Sequence, residues 1–242
     1  MSGYYTFDDQ KFSQITCLLE VQPLTGFTEK IKQTFAFASD KLRISDTLDS
    51  YSMTLDKVNG ITFHDPTLSI DILSDKGIAD PALAKRGIHN VIDGFNMQVD
   101  GVDKQLKAIF IIYQKDKPGE ITITKIEETT DGYIIESKQD KSNVTMTIHG
   151  DHIHLSSVNP YMSATTDSYY KKAGGNKQLL DRLTLAMKQP LESINGNSTF
   201  TYQKLGAILF PETIQEHVCM DSQGGQITAP ITIHFADCKV HE

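Results

Sequence analysis

The chain has 242 residues, of which 39% are hydrophobic and 22% charged, and its formal net charge is −8. That apolar share can form a core and excludes global disorder, while the acidic balance argues against non-specific nucleic-acid binding, which relies on Lys and Arg neutralising phosphates. The length fits one large domain or two small ones.

The opening "MSGYYTFDDQKF" has no basic stretch followed by an apolar one, so no Sec-type leader is expected. No apolar run approaches the roughly 20 residues that cross a bilayer, so no membrane span is expected. These features point to a cytoplasmic chain, or one exported without a recognisable Sec signal. The three cysteines are odd in number, and Cys17 in "QITCLLE" reads as a buried small hydrophobe in a reducing compartment. Cys219 and Cys238 are candidates to pair, but a tight hairpin at Gly224-Gly225 does not set them opposite each other.

In chain order, "GFTEKIKQTFAFASD" places Phe27, Ile31, Phe35 and Ala38 at helical spacing. Ile44, Leu48, Tyr51, Leu55 and Val58 then recur at intervals of 4-3-4-3. This predicts a second amphipathic helix, stopped near Asn59-Gly60, with two strands as the rival because "SYSMTL" also alternates. "HDP" (His64 to Pro66) leads into a strand, "TLSIDIL". A third helix is marked by Asp80 as N-cap and Pro81 at the first helical position. Leu83, Ile88, Val91, Ile92 and Phe95 line one side of it, and Gly94 can end it.

From about Met97 the segments become short, β-branched and separated by turn residues: "QLKAIFIIYQ", "GEITITKIEE", "GYIIESKQ", "NVTMTIHG" and "HIHLSSV". They predict an antiparallel meander, with residues 108–113, "AIFIIY", as a central strand apolar on both faces. A two-residue Asp131-Gly132 turn would set Glu127 against Glu136 and Lys125 against Lys138. Like charges directly opposite are unfavourable, so a bulged or three-residue turn is expected there. Residues 159–175 read as a loop, and "NKQLLDRLTLAMKQP" as a helix whose face is Leu179, Leu183, Ala186 and Met187. "NSTFTYQKL" and "QITAPITIHFAD" read as strands, while Pro211 leaves "GAILFPETIQEHV" open between strand and short helix.

The fold expectation is therefore α+β: an antiparallel β-meander over about residues 97–158, extended by C-terminal strands and packed against several helices. No composition shift marks a linker. Residues 1–242 read as a single α+β domain; if divided, the parts are a helix-rich 1–95 and a sheet-rich 96–242.

The chemistry-bearing motif is "HGDHIH", which holds His149, His152 and His154. A two-residue Gly150-Asp151 turn of type II′ sets His149 against His152, Ile148 against Ile153, Thr147 against His154 and Met146 against Leu155. The three histidines then share one face and the apolar residues the other. An HxH pair plus a histidine on the next strand suits a three-nitrogen zinc site with water at the fourth position. A hairpin tip is also where polar residues are ordinarily solvated, and no carboxylate on the same face is visible to orient the rings. A second candidate metal set is His217, Cys219, Cys238 and His241, although it lacks a CxxC knuckle. No nucleophile elbow and no phosphate loop is present: "AGGN" at residues 173–176 lacks the Walker pattern.

No cofactor is predicted, with zinc as the possible exception. The leading expectation is a non-enzymatic binding or interaction protein that recognises a protein partner or a small apolar ligand through the face or edge of its sheet. The alternative is a zinc-dependent hydrolase using the three-histidine hairpin.

Overall fold

The structure is a computed structural model and describes residues 11–48, 51–110, 121–139, 141–172, 178–223 and 225–242. Two compact units emerge, one of residues 11–114 with 233–242 and one within residues 115–232.

The first unit begins with β1 (Gln14–Gln22), which buries Ile15, Cys17, Leu19 and Val21 at alternate positions. Helix α1 (Phe27–Thr34) and a 3-10 turn (Ala36–Lys41) follow, and bury Ile31, Phe35 and Ala38 as their spacing requires. Next come β2 (Leu42–Asp46), β3 (Ser52–Asp56), β4 (Gly60–His64) and β5 (Leu68–Ile72). The helix expected across Ile44 to Val58 is therefore two strands. Tyr51, Met53 and Leu55 are buried while Val58 is 91% exposed, so the period of two, and not the 4-3-4-3 spacing, describes the burial. Asp56 Oδ1 accepts from the amides of Val58 and Asn59 and so holds the β3–β4 turn. β3 lies between β1 and β4, and β2 pairs with β5 in a separate two-stranded sheet.

Helix α2 (Pro81–Phe110) starts where expected, with the Leu83 amide donating to Asp80 Oδ1 at 2.9 Å. It does not end at Gly94. Ile88, Phe95, Val99, Val102 and Leu106 are buried among its described side chains, spaced 7-4-3-4, and that stripe carries the helix past Gly94 and Gly101, which each cost about 1 kcal/mol against Ala. Leu83, expected on the inner side, is 59% exposed. "QLKAIFIIYQ" is thus not the first meander strand: residues 105–110 belong to α2, and 111–114 lie outside the described residues. Helix α2 packs against β4 and β5.

The second unit is an uninterrupted meander: β6 (Ile121–Thr129), β7 (Gly132–Gln139), β8 (Ser142–His149), β9 (His152–Asn159), β10 (Met162–Lys172), β11 (Gln178–Lys188), β12 (Glu192–Leu205) and β13 (Ile208–Ser222). The final strand, β14 (Gly225–His241), belongs to this unit up to residue 232 and to the first unit from 233. The hydrogen-bonded order is β4-β3-β1-β14-β13-β12-β11-β10-β9-β8-β7-β6. The chain is therefore mostly antiparallel β, and the α+β expectation of a meander packed against several helices is overturned.

Three expectations in the meander change. The loop at 159–175 is β10 through Lys172, entered by a tight turn in which Asn159 Oδ1 accepts from the amides of Tyr161 and Met162. The helix expected over Leu179 to Met187 is β11, hydrogen-bonded on both sides by β10 and β12. A bulge opposite Tyr169 and Tyr170 inserts Asp181, so Leu179 and Leu183 keep a helix-like spacing inside a strand. "GAILFPETIQEHV" is strand, with Pro211 at a bulge facing Tyr202. The bulged or three-residue turn expected at Asp131-Gly132 is corrected: Thr129 pairs with Gly132, so the turn is the two-residue Thr130-Asp131, and this one-residue shift avoids the like-charge pairs by setting Lys125 against Glu136. A bulge between Ile123 and Lys125 accommodates the rest.

β7, β8, β9 and β10 pack on their hydrogen-bonded neighbours, and Ser168 is the single buried residue among them. Among the described residues this stretch is one layer of sheet.

Candidate functional site

The registers continue across the meander and define its two faces. The predicted hairpin is present: His149 pairs with His152, Ile148 with Ile153, Thr147 with His154 and Met146 with Leu155. Gly150 has φ 60° and Asp151 has no positive φ, as a type II′ turn requires. One face therefore carries His149, His152 and His154, together with Thr145, Thr147 and Ser156.

β10 completes this face. Asp167 pairs with His154 and Tyr169 with His152. The Nε2–H of His152 and the Nδ1–H of His154 both donate to Asp167 Oδ1, at 2.8 and 2.7 Å. An ionised carboxylate only accepts, so these contacts select the tautomers. Partial burial acts to raise the Asp167 carboxyl, but the hydrogen bonds and charge of His154 and His152 together hold it below the usual aspartate range. Tyr169 stacks on His152, with ring centroids 4.5 Å apart and planes within 8°. The Arg182 guanidinium lies 4.2 Å from the centroid of Tyr169. Arg182, Tyr169, His152, Asp167 and His154 thus form a continuous polar and aromatic row across β9, β10 and β11.

Asp167, Tyr169 and Arg182 were missed because their segments read as loop and helix. The three histidines are not equivalent. His152 and His154 are turned onto Asp167; His149 stands beside His152 in register, is exposed, and is not bonded to that carboxylate. Among the described residues no group of three or more His, Cys, Asp or Glu side chains is arranged to hold a metal ion. The second candidate set does not assemble either. Cys238 is bonded to Cys17, so the reading of Cys17 as a lone buried hydrophobe is corrected. Cys219 is not in a disulfide, and its Sγ accepts from Gln226 Nε2 at 3.0 Å. His217 is two residues from Cys219 on the same face of β13, while His241 Nε2 lies 3.3 Å from Thr16 Oγ1.

The opposite face is chemically different. It carries Ile126 and Ile123 from β6, Tyr133 and Ile135 from β7, and Val144, Met146 and Ile148 from β8. Ile153 and Leu155 continue it on β9, and Leu183, Leu185 and Met187 on β11. None of these side chains is buried; Ile126 is 62% and Ile123 57% exposed. Across β7, β8 and β9 the paired rows on this face hold no charged residue, and Glu128 of β6, opposite Tyr133, and Lys172 of β10, opposite Gln178, stand at its borders. Further along it, Glu216 on β13 is buried opposite Ser198 of β12. Burial raises its carboxyl to about 7, against the opposing hydrogen bond to Ser198, and its Oε2 lacks a hydrogen-bond partner.

The first unit holds two open clefts of about 540 and 820 Å³. The smaller is lined by Leu19, Val21, Leu24 and Tyr51, with Glu29 and Lys32 also on its wall. No helix among the described residues is long and apolar enough to cross a membrane. No family model, no curated protein and no solved structure matches this chain.

Proposed function

We propose that the protein is an interaction protein whose meander docks a protein partner on its apolar face. The observation that carries this is the row of half-buried Ile, Leu, Met and Val side chains on a single layer of sheet. Full burial of such a side chain stabilises by roughly 1.5–3 kcal/mol relative to exposure. Ile148, Ile153, Met146 and Leu155 each leave part of that unrealised in the isolated chain, and a broad apolar patch of this kind marks a protein interface. The face is favoured over the edge. Edge strand β6 presents Lys125 paired with Glu127 at 2.7 Å, and its bulge interrupts the ladder that an added strand would need. A small apolar ligand has less support, because the clefts are open and mixed in polarity. The zinc-hydrolase alternative has less support, because among the described residues no group of three or more His, Cys, Asp or Glu side chains is arranged to hold a metal ion.

An environment-sensitive apolar dye tests the reading. The full chain at nanomolar concentration should bind the dye with a several-fold rise in fluorescence. Met146→Lys with Leu155→Lys should remove that rise, and Thr145→Lys with Thr147→Lys, on the other face, should keep it. Dye binding indifferent to both pairs would refute the docking face.

A further inference from the structure

We infer that the partner on the apolar face is a second copy of this chain, packed face to face about a two-fold axis. This rests on the docking reading above and names its occupant.

Three observations converge on a copy of the chain. The first is area. Strands lie about 4.8 Å apart and rise about 3.4 Å per residue, so the apolar rows of six strands, β6 to β11, cover about 600 Å². Two such faces together remove about 1,200 Å², which clears the roughly 1,000 Å² that a specific interface needs.

The second is charge. The molecule carries a net charge of −8, so two copies brought together at random repel. Between Glu128 at the β6 border and Lys172 at the end of β10, the paired rows on this face carry no charged residue, so two acidic copies meet there without a like-charge penalty. A basic partner would be drawn to the acidic surface elsewhere and gain no ion pair between those two borders.

The third is self-complementarity. A two-fold interface brings one patch against itself, and each row must tolerate its own image. Ile148 with Ile153, and Met146 with Leu155, form an array of similar-sized aliphatic groups. Two twisted sheets stack this way at about 10 Å with their strands near −30°. A face that the sheet must cover is best met by a partner present whenever the chain is, and at equal concentration.

Sedimentation velocity on the full chain, from 0.1 to 100 μM, reads the outcome together with the dye. The expected result is a species of twice 27.0 kDa at the upper end, with dye fluorescence per molecule falling several-fold across the same range. Met146→Lys with Leu155→Lys should abolish dimer and dye binding, while Thr145→Lys with Thr147→Lys leaves both. A monomer at 100 μM that still binds dye overturns the second copy and leaves the docking face standing. A monomer that binds no dye overturns both. A dimer that survives the Met146/Leu155 pair, or an assembly larger than two, overturns the face-to-face arrangement. If the charged pair fails to fold, the wild-type concentration series decides: dye binding that does not fall as the dimer forms overturns the proposal.

Discussion

Asp167→Ala removes the acceptor that holds two histidine rings, and its effect can be sized from the geometry. Hydrogen bonds to a charged group contribute about 1.5–3 kcal/mol each where water is excluded. Here the side chains of His152, His154 and Asp167 keep 30%, 38% and 26% of their exposure, so water replaces part of what is lost. Both bonds together should therefore contribute about 1–2 kcal/mol, or roughly 2–8 °C in melting temperature for a chain of this size. The pH dependence has a definite sign. The folded Asp167 carboxyl sits below its ordinary value, so its contribution is complete above the unfolded pKa of about 4 and is lost as the pH falls through the depressed folded value. Urea melts of wild type and variant at pH 7 and pH 3 provide the assay. The deficit should be present at pH 7 and shrink toward zero at pH 3. No deficit at pH 7, or a larger one at pH 3, would refute the assigned pairing.

Two further perturbations are sharp. Glu216→Gln should stabilise at alkaline pH: with the folded carboxyl raised to about 7, wild type loses stability as the pH rises from about 4.5 through 7, by about 3 kcal/mol, and the glutamine variant does not. Denaturant melts from pH 5 to 8 would show this as a gap that opens with pH; curves that run parallel would contradict it. Gly132→Ala should open the β7–β8 pairing, because an added Cβ would stand 1.8 Å from the carbonyl oxygen of Ile148. That contact forces backbone movement, at a cost of about 2–3 kcal/mol in line with other overpacked sites. Amide exchange at Ile148 and His149 should speed up, and unchanged protection would show that the strands tolerate a side chain there.

How much was legible depended on whether a segment carried its own register. The His149–His152 hairpin was readable because Gly150 supplies the turn and two independent apolar pairs, Ile148 with Ile153 and Met146 with Leu155, agree on it. The same arithmetic extended through the Pro160-Tyr161 turn would have set Asp167 against His154. Reading residues 159–175 as loop, from their Ser, Thr and Tyr content, concealed the carboxylate. β11 was opaque for another reason: Leu-rich sequence favours helix locally, and the inserted Asp181 breaks the alternation that would have marked a strand.

By itself, the sequence determined the local features: the Gly150-Asp151 turn, the Asp80 cap and the alternation in β6 to β9. Each depends on neighbours a few residues apart, where backbone sterics and pleat period act directly. Only the tertiary structure decided that α2 runs on past Gly94, that Cys17 finds Cys238 across a separation of 221 residues, and that Asp167 claims two of the three histidines. Those outcomes are pairings between distant segments. Their free energy comes from burial and hydrogen bonding after the chain has folded, which outweighs local propensity where the two disagree.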